Sequence, residues 1–399
     1  MDSSSVDRLL TRGVEEIIDK KHLEGALKSG KKLRVKLGID PTAKDLHLGH
    51  TVVLRKLRQF QELGHKAVLI IGDFTATIGD PSGRSELRPV LTEREAKTNM
   101  RGYLKEMGKA VDVGKAEVRY NSEWYKKKGL KFLIEITSKF TVARSLERDD
   151  FQKRIKEGRD VSMLEVLYPI LQGYDSVEVK ADVELGGTDQ KFNLLTGRKV
   201  QRRYGLPKQD IITVPLIEGL DGVRKMSKSF GNSIGLSEKP LEMYSKIMSI
   251  PDDLVRKYFL LLTDVPEKEL ELLKPERRFE NINFDFKAWK ERLGLEITDM
   301  YHDRKKAALA KAAFDKKFGK GKSLKDIQAD FEIQKKPGKY AIVDLLVEGK
   351  LASSKTEARR KIKEGAVEID GAQVSDEKKV VKITKGSLIR LGKRFLRIK

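Results

Sequence analysis

The chain has 399 residues, a formal charge of +22 and no cysteine. Its length allows two or three domains with ample core, and the lack of cysteine excludes disulfides, thiolate catalysis and cysteine-held zinc. No apolar run approaches the ~18 residues of a membrane span, and Met1-Asp2-Ser3-Ser4-Ser5 has neither an apolar secretory core nor an arginine-rich transit pattern, so a cytoplasmic protein is expected.

In chain order, residues 7–28 read as one amphipathic helix, with Leu9, Leu10, Val14, Ile17 and Ile18 on a common side. Leu33 to Ile39 alternates like a buried strand, and Asp40-Pro41-Thr42 ends it with a turn. His47 and His50 then open a helix that carries Leu54, Leu57, Phe60 and Leu63 on its apolar face and stops at Gly64. A second strand, Ala67 to Gly72, completes a βαβ unit. Its polar residues gather where strand gives way to helix, where unpaired N–H groups and the helix dipole suit an anion. The stretch has neither the GxGxxG of a dinucleotide fold nor a P-loop, so a phosphate bound here would need the imidazoles. Two surface histidines at a helix start would be the plainer reading. The chain has only five histidines, however, and two stand at this one point.

A glycine-punctuated loop, Gly72 to Arg84, follows the second strand, on the side where open α/β sheets hold ligands. Thr92 and Glu95 form a capping box. Residues 110–160 read as an insertion of helices with one short strand around Val118. Ser162 and Glu165 cap another helix, with Met163, Val166, Leu167, Ile170 and Leu171 on its apolar side. Tyr168, Gln172 and Asp175 recur at i, i+4 and i+7 on a different stripe. Long charged residues would serve a solvated face better, so this stripe is expected to line a polar pocket. Pro169 predicts a kink or a broken turn. Val177 to Leu185 reads as a strand ending in Gly186-Gly187-Thr188-Asp189-Gln190, followed by a helix to Tyr204 that Gly205 stops. A strand over Ile211–Ile217 leads into the loop Lys225-Met226-Ser227-Lys228-Ser229. From Ser237 to about Phe318 the pattern is helical. Gly319-Lys320-Gly321-Lys322 and Lys335-Lys336-Pro337-Gly338 read as linker, and residues 338–399 as a compact tail with a basic helix and short strands around Val367, Val380 and Ile389. Residues 300–399 hold 27 Lys and Arg against 13 Asp and Glu. Charge clustered in this way is the footprint of a polyanion partner, RNA or DNA.

Pro41 to His50 resembles the HIGH signature of class I aminoacyl-tRNA synthetases, and Lys225 to Ser229 resembles the KMSKS signature of the same class. The finer pattern is similar to bacterial-type tyrosyl-tRNA synthetases over essentially the whole chain. The resemblance implies an α/β fold: a Rossmann-like doubly wound parallel sheet catalytic domain over 1–236, with an inserted dimerisation segment at about 110–160 and the KMSKS loop at 225–229. A helical anticodon-side domain over 237–330 and a small α+β S4-like RNA-binding domain over 338–399 would follow.

The implied reaction is activation of tyrosine by ATP and transfer of the tyrosyl group to the 3′-terminal ribose of its tRNA. Such a reaction proceeds by in-line displacement, so it needs positioning and charge stabilisation rather than a nucleophilic side chain. His47 and His50 suit the phosphates, and Lys225 and Lys228 suit the β/γ end with Ser227 and Ser229 as further donors. From the resemblance, Asp40, Thr42, Gly49 and Met226 join them around the nucleotide, and Gly187 and Asp189 meet the ribose. Arg84 and Arg88 stand near the pyrophosphate. Gly38, Asp80, Tyr168, Gln172 and Gln190 surround the amino and carboxyl groups of tyrosine, and Asp175 accepts from its phenol. A buried acceptor left unpaired by phenylalanine rejects it strongly, an effect for which this family is itself the standard example.

Many family members have a tyrosine two residues before the glycine of the first strand, where it contacts the phenol; this chain has Lys36 there. Lys36 is therefore a candidate for phenol contact, for a partner of Asp175 or for a solvent-facing residue. In the tail, Lys355, Arg359, Arg360 and Lys363 are the candidate RNA contacts. Mg²⁺ is expected with ATP as substrate, no tightly bound cofactor or resident metal is expected, and the family implies a homodimer. A tryptophanyl-tRNA synthetase is the nearest rival, against which the Tyr168/Gln172/Asp175 stripe and the S4-like tail speak. An RNA-binding protein without activity, or a small-molecule nucleotidyltransferase, would leave the intact signatures or the RNA-binding tail without a task.

Overall fold

The computed structural model describes residues 3–82, 91–278, 285–318, 329–392 and 394–399. Two compact units divide the chain, 1–309 and 310–399.

The first unit is built on a six-stranded sheet of β1 (Glu16–Ile18), β2 (Arg34–Ile39), β3 (Lys66–Ile71), β4 (Glu117–Tyr120), β5 (Val183–Gly187) and β6 (Asp210–Val214). The order is β1-β6-β5-β2-β3-β4. All neighbours are parallel except β1, which runs antiparallel along β6 with Ile17 opposite Ile212. From β2 the chain moves to β3 on one side and later to β5 on the other. The crevice at the carboxyl ends of β2 and β5 is thus the topological switch point of a doubly wound sheet. β3 and β6 are buried along nearly their whole length, as strands covered on both faces must be.

Four details differ from the sequence reading. The amino-terminal stretch is two helices, Ser3–Thr11 and Lys20–Lys28, with β1 between them. Gly13 at φ +64° and Asp19 at φ +70° interrupt the helix, and Ile17 and Ile18 face β6 instead of a helical core. The strand around Val118 belongs to the main sheet, with Val118 opposite Leu69, so the helical insertion starts after it. Val177 lies in the last turn of a helix, not in a strand; Lys180 turns the chain at φ +48° and β5 begins only at Val183. Met163, expected on the apolar side, is exposed.

The helix α1 (Leu48–Glu62) follows β2, and α2 (Met163–Glu178) runs through Pro169 as one helix. α3 (Lys191–Arg203) packs on α2, where Gly173 lies against Gly197 and Val200. The carboxyl-terminal helices α4 (Pro240–Ile247), α5 (Val255–Leu262) and α6 (Phe286–Tyr301) lie within the first unit. Their Ile247, Phe259 and Leu293 join one hydrophobic cluster with Leu54 and Leu57 of α1 and Leu37 of β2. Polar ties reinforce it. Arg12 donates to the carbonyls of Val265 at 2.7 Å and Thr263 at 2.8 Å. Lys56 of α1 donates to the carbonyls of Leu9 and Arg12, each at 2.7 Å, and Arg55 pairs with Asp264 at 2.6 Å.

The second unit has its own core. β7 (Phe331–Ile333), β9 (Val367–Ile369), β10 (Ala372–Val374), β12 (Leu388–Leu391) and β13 (Arg394–Ile398) form a five-stranded sheet; β8 (Gly338–Ala341) and β11 (Val380–Ile383) form a ribbon. α7 (Ile342–Glu348) and α8 (Lys355–Lys363) pack Leu346, Ala358 and Ile362 against Ile389 and Leu396. The glycine-lysine linker expected at 319–322 lies outside the described residues. Among the described residues no helix is long and apolar enough to cross a membrane.

Candidate active site

Proximity of the two histidines follows from helix capping. His47 is the N-cap of α1, and its Nδ1 accepts from the Gly49 N–H at 3.2 Å; Nδ1 of His50 accepts from the His47 N–H, also at 3.2 Å. The rings lie 3.9 Å apart. Gly49 is required here, because a Cβ would meet the His47 ring at 2.9 Å. Burial, with the neighbouring His50 and Lys228, lowers His47 to about 2. Burial and Lys228 lower His50 to about 4 against the opposing bond from His47. Both rings are therefore neutral at pH 7. With each Nδ1 accepting, each Nε2 carries the proton and is a donor. The leading N–H groups, expected to be unpaired, are engaged, that of Leu48 by the Ile234 carbonyl and that of His50 by the His47 carbonyl, each at 2.9 Å, so it is the two neutral imidazole donors at the positive end of the helix that suit phosphate oxygens.

At the other end of the crevice stands Asp175 of α2, 4% exposed. Trp124 Nε1 donates to it at 3.0 Å and Asn121 Nδ2 at 3.3 Å. Burial pushes its carboxyl up to about 6, while Lys36 and the donors of Asn121, Tyr125 and Trp124 oppose the rise. The Tyr168 hydroxyl donates to Asp40 Oδ2 at 2.9 Å, and Thr75 Oγ1 donates to Asp40 Oδ1 at 2.8 Å. Burial first, then Asp40 and Asp80, raises the Tyr168 phenol well above its usual range. The Asp40 carboxylate, expected beside the nucleotide, is thus turned toward Tyr168. Asp80 accepts from Gln190 Nε2 at 2.7 Å and from Asn193 Nδ2 at 3.3 Å. Asn193 in turn accepts from Arg148 at 2.8 Å.

The KMSKS loop is pinned from below. Asn232, 3% exposed, accepts from the Ser227 N–H at 2.8 Å and donates to the carbonyls of Lys225 at 3.2 Å and Arg224 at 3.3 Å. Met226 is buried, and its N–H donates to the Ile217 carbonyl at 2.8 Å. Above this anchor, Lys225 Nζ reaches Asp189 at 2.7 Å and Lys228 Nζ reaches Asp45 at 3.0 Å. Each lysine head thus rests on a carboxylate of the cleft wall.

These groups share one cleft of about 740 Å³. Gly38, Asp40, Thr42, His47, Gly49, His50, Asp80, Tyr168, Gln172, Asp175, Gly187, Asp189, Gln190 and the whole of Lys225 to Ser229 line it. Lys36 does not. Its side chain is fully buried behind the cleft, 2.8 Å from Glu184 Oε1, so it neither faces solvent nor takes Asp175 as its ion-pair partner. Arg84 and Arg88 lie outside the described residues. In the second unit Lys355, Arg359, Arg360 and Lys363 sit on α8, all with exposed side chains, and three of them meet acidic neighbours: Asp344 lies 2.9 Å from Lys355, Glu364 2.9 Å from Arg360 and Glu377 3.3 Å from Lys363. The sequence reading missed Asn121, Trp124, Glu184, Asn193 and Asn232. Each acts through contacts far away in the chain or buried beneath a loop, and no local spacing marks them.

Residues 28–319 match the family model described as tRNA synthetases class I (W and Y), and residues 323–395 match the Tyrosine--tRNA ligase SYY-like C-terminal domain. The Tyrosine--tRNA ligase of Thermotoga maritima is 49% identical over 392 residues, which cover 98% of this chain and 96% of that protein. That of Aquifex aeolicus is 46% identical over 393 residues, covering 98% and 97%. Among solved structures, a C-terminally truncated mitochondrial tyrosyl-tRNA synthetase of Coccidioides posadasii is 24% identical, with a TM-score of 0.62 over 78% of this chain and 92% of that one. The Archaeoglobus fulgidus tyrosyl-tRNA synthetase complexed with L-tyrosine is 21% identical, with a TM-score of 0.62 over 77% and 99%; both share the fold. Agreement with relatives along almost the entire length of each protein makes this chain a member of the tyrosine–tRNA ligases among the class I synthetases, and its activity is the ATP-dependent joining of tyrosine to tRNA.

Proposed function

We propose a division of labour within the cleft for the two steps of that activity. Tyrosine lies with its phenol on Asp175 and its ammonium among Asp80, Tyr168 and Gln172. Its carboxylate, oriented by Gln190, attacks the α-phosphorus of ATP in line and pyrophosphate leaves. In the second step the terminal ribose hydroxyl of the tRNA attacks the carbonyl carbon of tyrosyl-adenylate, and AMP leaves. His47 and His50 donate through Nε2–H to phosphate oxygens, with Thr42 and Gly49 beside them. Gly187 and Asp189 meet the ribose. Lys225 and Lys228 exchange Asp189 and Asp45 for the β- and γ-phosphates, so their attraction strengthens as charge builds on the leaving group. The family resemblance assigns Arg84 and Arg88 to the pyrophosphate as well. The carrying observation is a single cleft with a buried carboxylate at one end and two neutral imidazoles and two lysines at the other.

The triphosphate is expected to bring Mg²⁺ with it. Such an ion is carried mainly by phosphate oxygens and water. The first unit is the catalytic body, with 237–309 on the anticodon side. The basic face of α8 is the RNA-binding surface of an S4-like tail, and the protein is cytoplasmic. The homodimer uses the insertion, where Leu130, Ile134, Val142 and Ile155 are exposed large apolar residues of a kind that marks interfaces.

Measuring ATP–pyrophosphate exchange with tyrosine, phenylalanine and tryptophan tests the specificity reading. Exchange with tyrosine alone is expected, and its abolition in Lys228→Ala with little change in tyrosine binding. Exchange supported equally by phenylalanine would remove Asp175 from its role.

A further inference from the structure

Lys36 stands where many members of the wider family carry a phenol-reading tyrosine, yet its ammonium does not line the cleft. All three of its protons are used: Nζ donates to the Gln172 carbonyl at 2.8 Å and Ser176 Oγ at 2.7 Å, and lies 2.8 Å from Glu184 Oε1. Lys36 is 0% and Glu184 1% exposed. Glu184 has no freedom to turn. Gln172 Nε2 lies 3.2 Å from Oε1, Ser176 Oγ 3.2 Å from Oε2, and Gln209 Nε2 also donates to Oε2. The backbone makes room for it: a Cβ on Gly197 would stand 2.7 Å from Gln209 Nε2 and 3.1 Å from Glu184 Oε2.

An ionised carboxylate can only accept. Gln172 must therefore turn its NH₂ toward Glu184, and the amide oxygen is the atom left for the cleft it lines. A reversed amide would offer hydrogens to the substrate's ammonium instead. A carboxylate this far from water needs a compensating cation, and Lys36 provides it. We propose that Lys36 and Glu184 are a positioning pair that fixes the Gln172 amide with its oxygen toward the ammonium of tyrosine. This rests on the reading of Gln172 as an ammonium partner. Recognition of the phenol is then left to Asp175, steadied by Trp124 and Asn121.

The test uses the full chain in ATP–pyrophosphate exchange, with 3-(4-hydroxyphenyl)propionate as a competitive inhibitor. That compound keeps the phenol and carboxylate of tyrosine and lacks the ammonium. Glu184→Gln, nearly isosteric, lets the two amides pair in either sense. The expected result is a tyrosine KM raised by about tenfold, with the ATP KM and the inhibitor's Ki unchanged. The double variant Lys36→Met/Glu184→Met removes both charges together, a change that buried pairs often tolerate, and should show the same split. Gln172→Ala is the control. If it leaves the tyrosine KM unchanged, the reading of Gln172 fails. If it raises KM while Glu184→Gln does not, or if Glu184→Gln weakens the inhibitor as much as tyrosine, the positioning role is overturned.

Discussion

Asp175 is placed where a carboxylate is most selective and least comfortable. Burial lifts it to about 6, and the sign of the consequence follows directly. In the proposed arrangement only the ionised form accepts freely from the phenol of tyrosine. Below pH 6 the free enzyme protonates Asp175, so kcat/KM for tyrosine should fall by roughly tenfold per unit and stay flat above. Asp175→Asn should abolish that limb and lower kcat/KM for tyrosine roughly 10- to 100-fold. His47 and His50, at about 2 and about 4, add no inflection between pH 5 and 8. A steep limb surviving in Asp175→Asn would reassign the titration. At this scale the sequence was informative where local spacing forces proximity. The i, i+4, i+7 row put Tyr168, Gln172 and Asp175 on one face of α2, and the capping of α1 brought His47 to His50. It was silent on Trp124, Asn121 and Glu184, which come from other elements and contact Asp175 or Gln172 of that row. Lys36 was conspicuous in the sequence, but its partner, 148 positions away along the chain, was not.

Among elements, the KMSKS loop shows how a mobile task can rest on a fixed base. Asn232 holds the backbone of Arg224, Lys225 and Ser227, while the lysine heads above are held only by exchangeable ion pairs. Asn232→Ala should therefore lower kcat for adenylate formation and leave the tyrosine KM near its original value, as single-turnover fluorescence or exchange would reveal. A rise in tyrosine KM with unchanged kcat would contradict that partition. The regular pieces were legible because their period is: α1, β2 and β3 lie within a residue or two of the pattern. The failures are equally physical. A three-residue strand such as β1 has no period to detect, and Ile17 and Ile18 fit a helical face as well as a sheet edge. Val177 and Val179 look like strand residues, but the end of α2 buries Val179 just as well.

On the scale of the molecule, the proposed reading assigns charge and apolar surface to different jobs. Replacing Lys355, Arg359, Arg360 and Lys363 by Gln should raise the tRNA KM in charging and flatten its dependence on salt, with pyrophosphate exchange untouched. An equal loss in both assays would mean that the tail supports the fold of the enzyme. Ile134→Glu or Val142→Glu should yield a smaller species by sedimentation, and a mass unchanged from the parent would point to a different face. The basic tail could be read from composition alone. The grouping of 237–309 with the sheet could not, because a helical run carries no mark of what it will pack against.

That grouping has a consequence for anyone recombining this enzyme with its relatives. Arg12 and Arg55 reach across to residues 259–265 and Lys56 holds the carbonyls of Leu9 and Arg12, and Ile247, Phe259 and Leu293 share one hydrophobic cluster with α1. A crossover placed after residue 236 would splice two half-interfaces that were never selected together, and such chimeras should precipitate. A crossover near residue 309 inherits each interior intact, and should give soluble hybrids in which the identity of the tail can be exchanged like an interchangeable fitting.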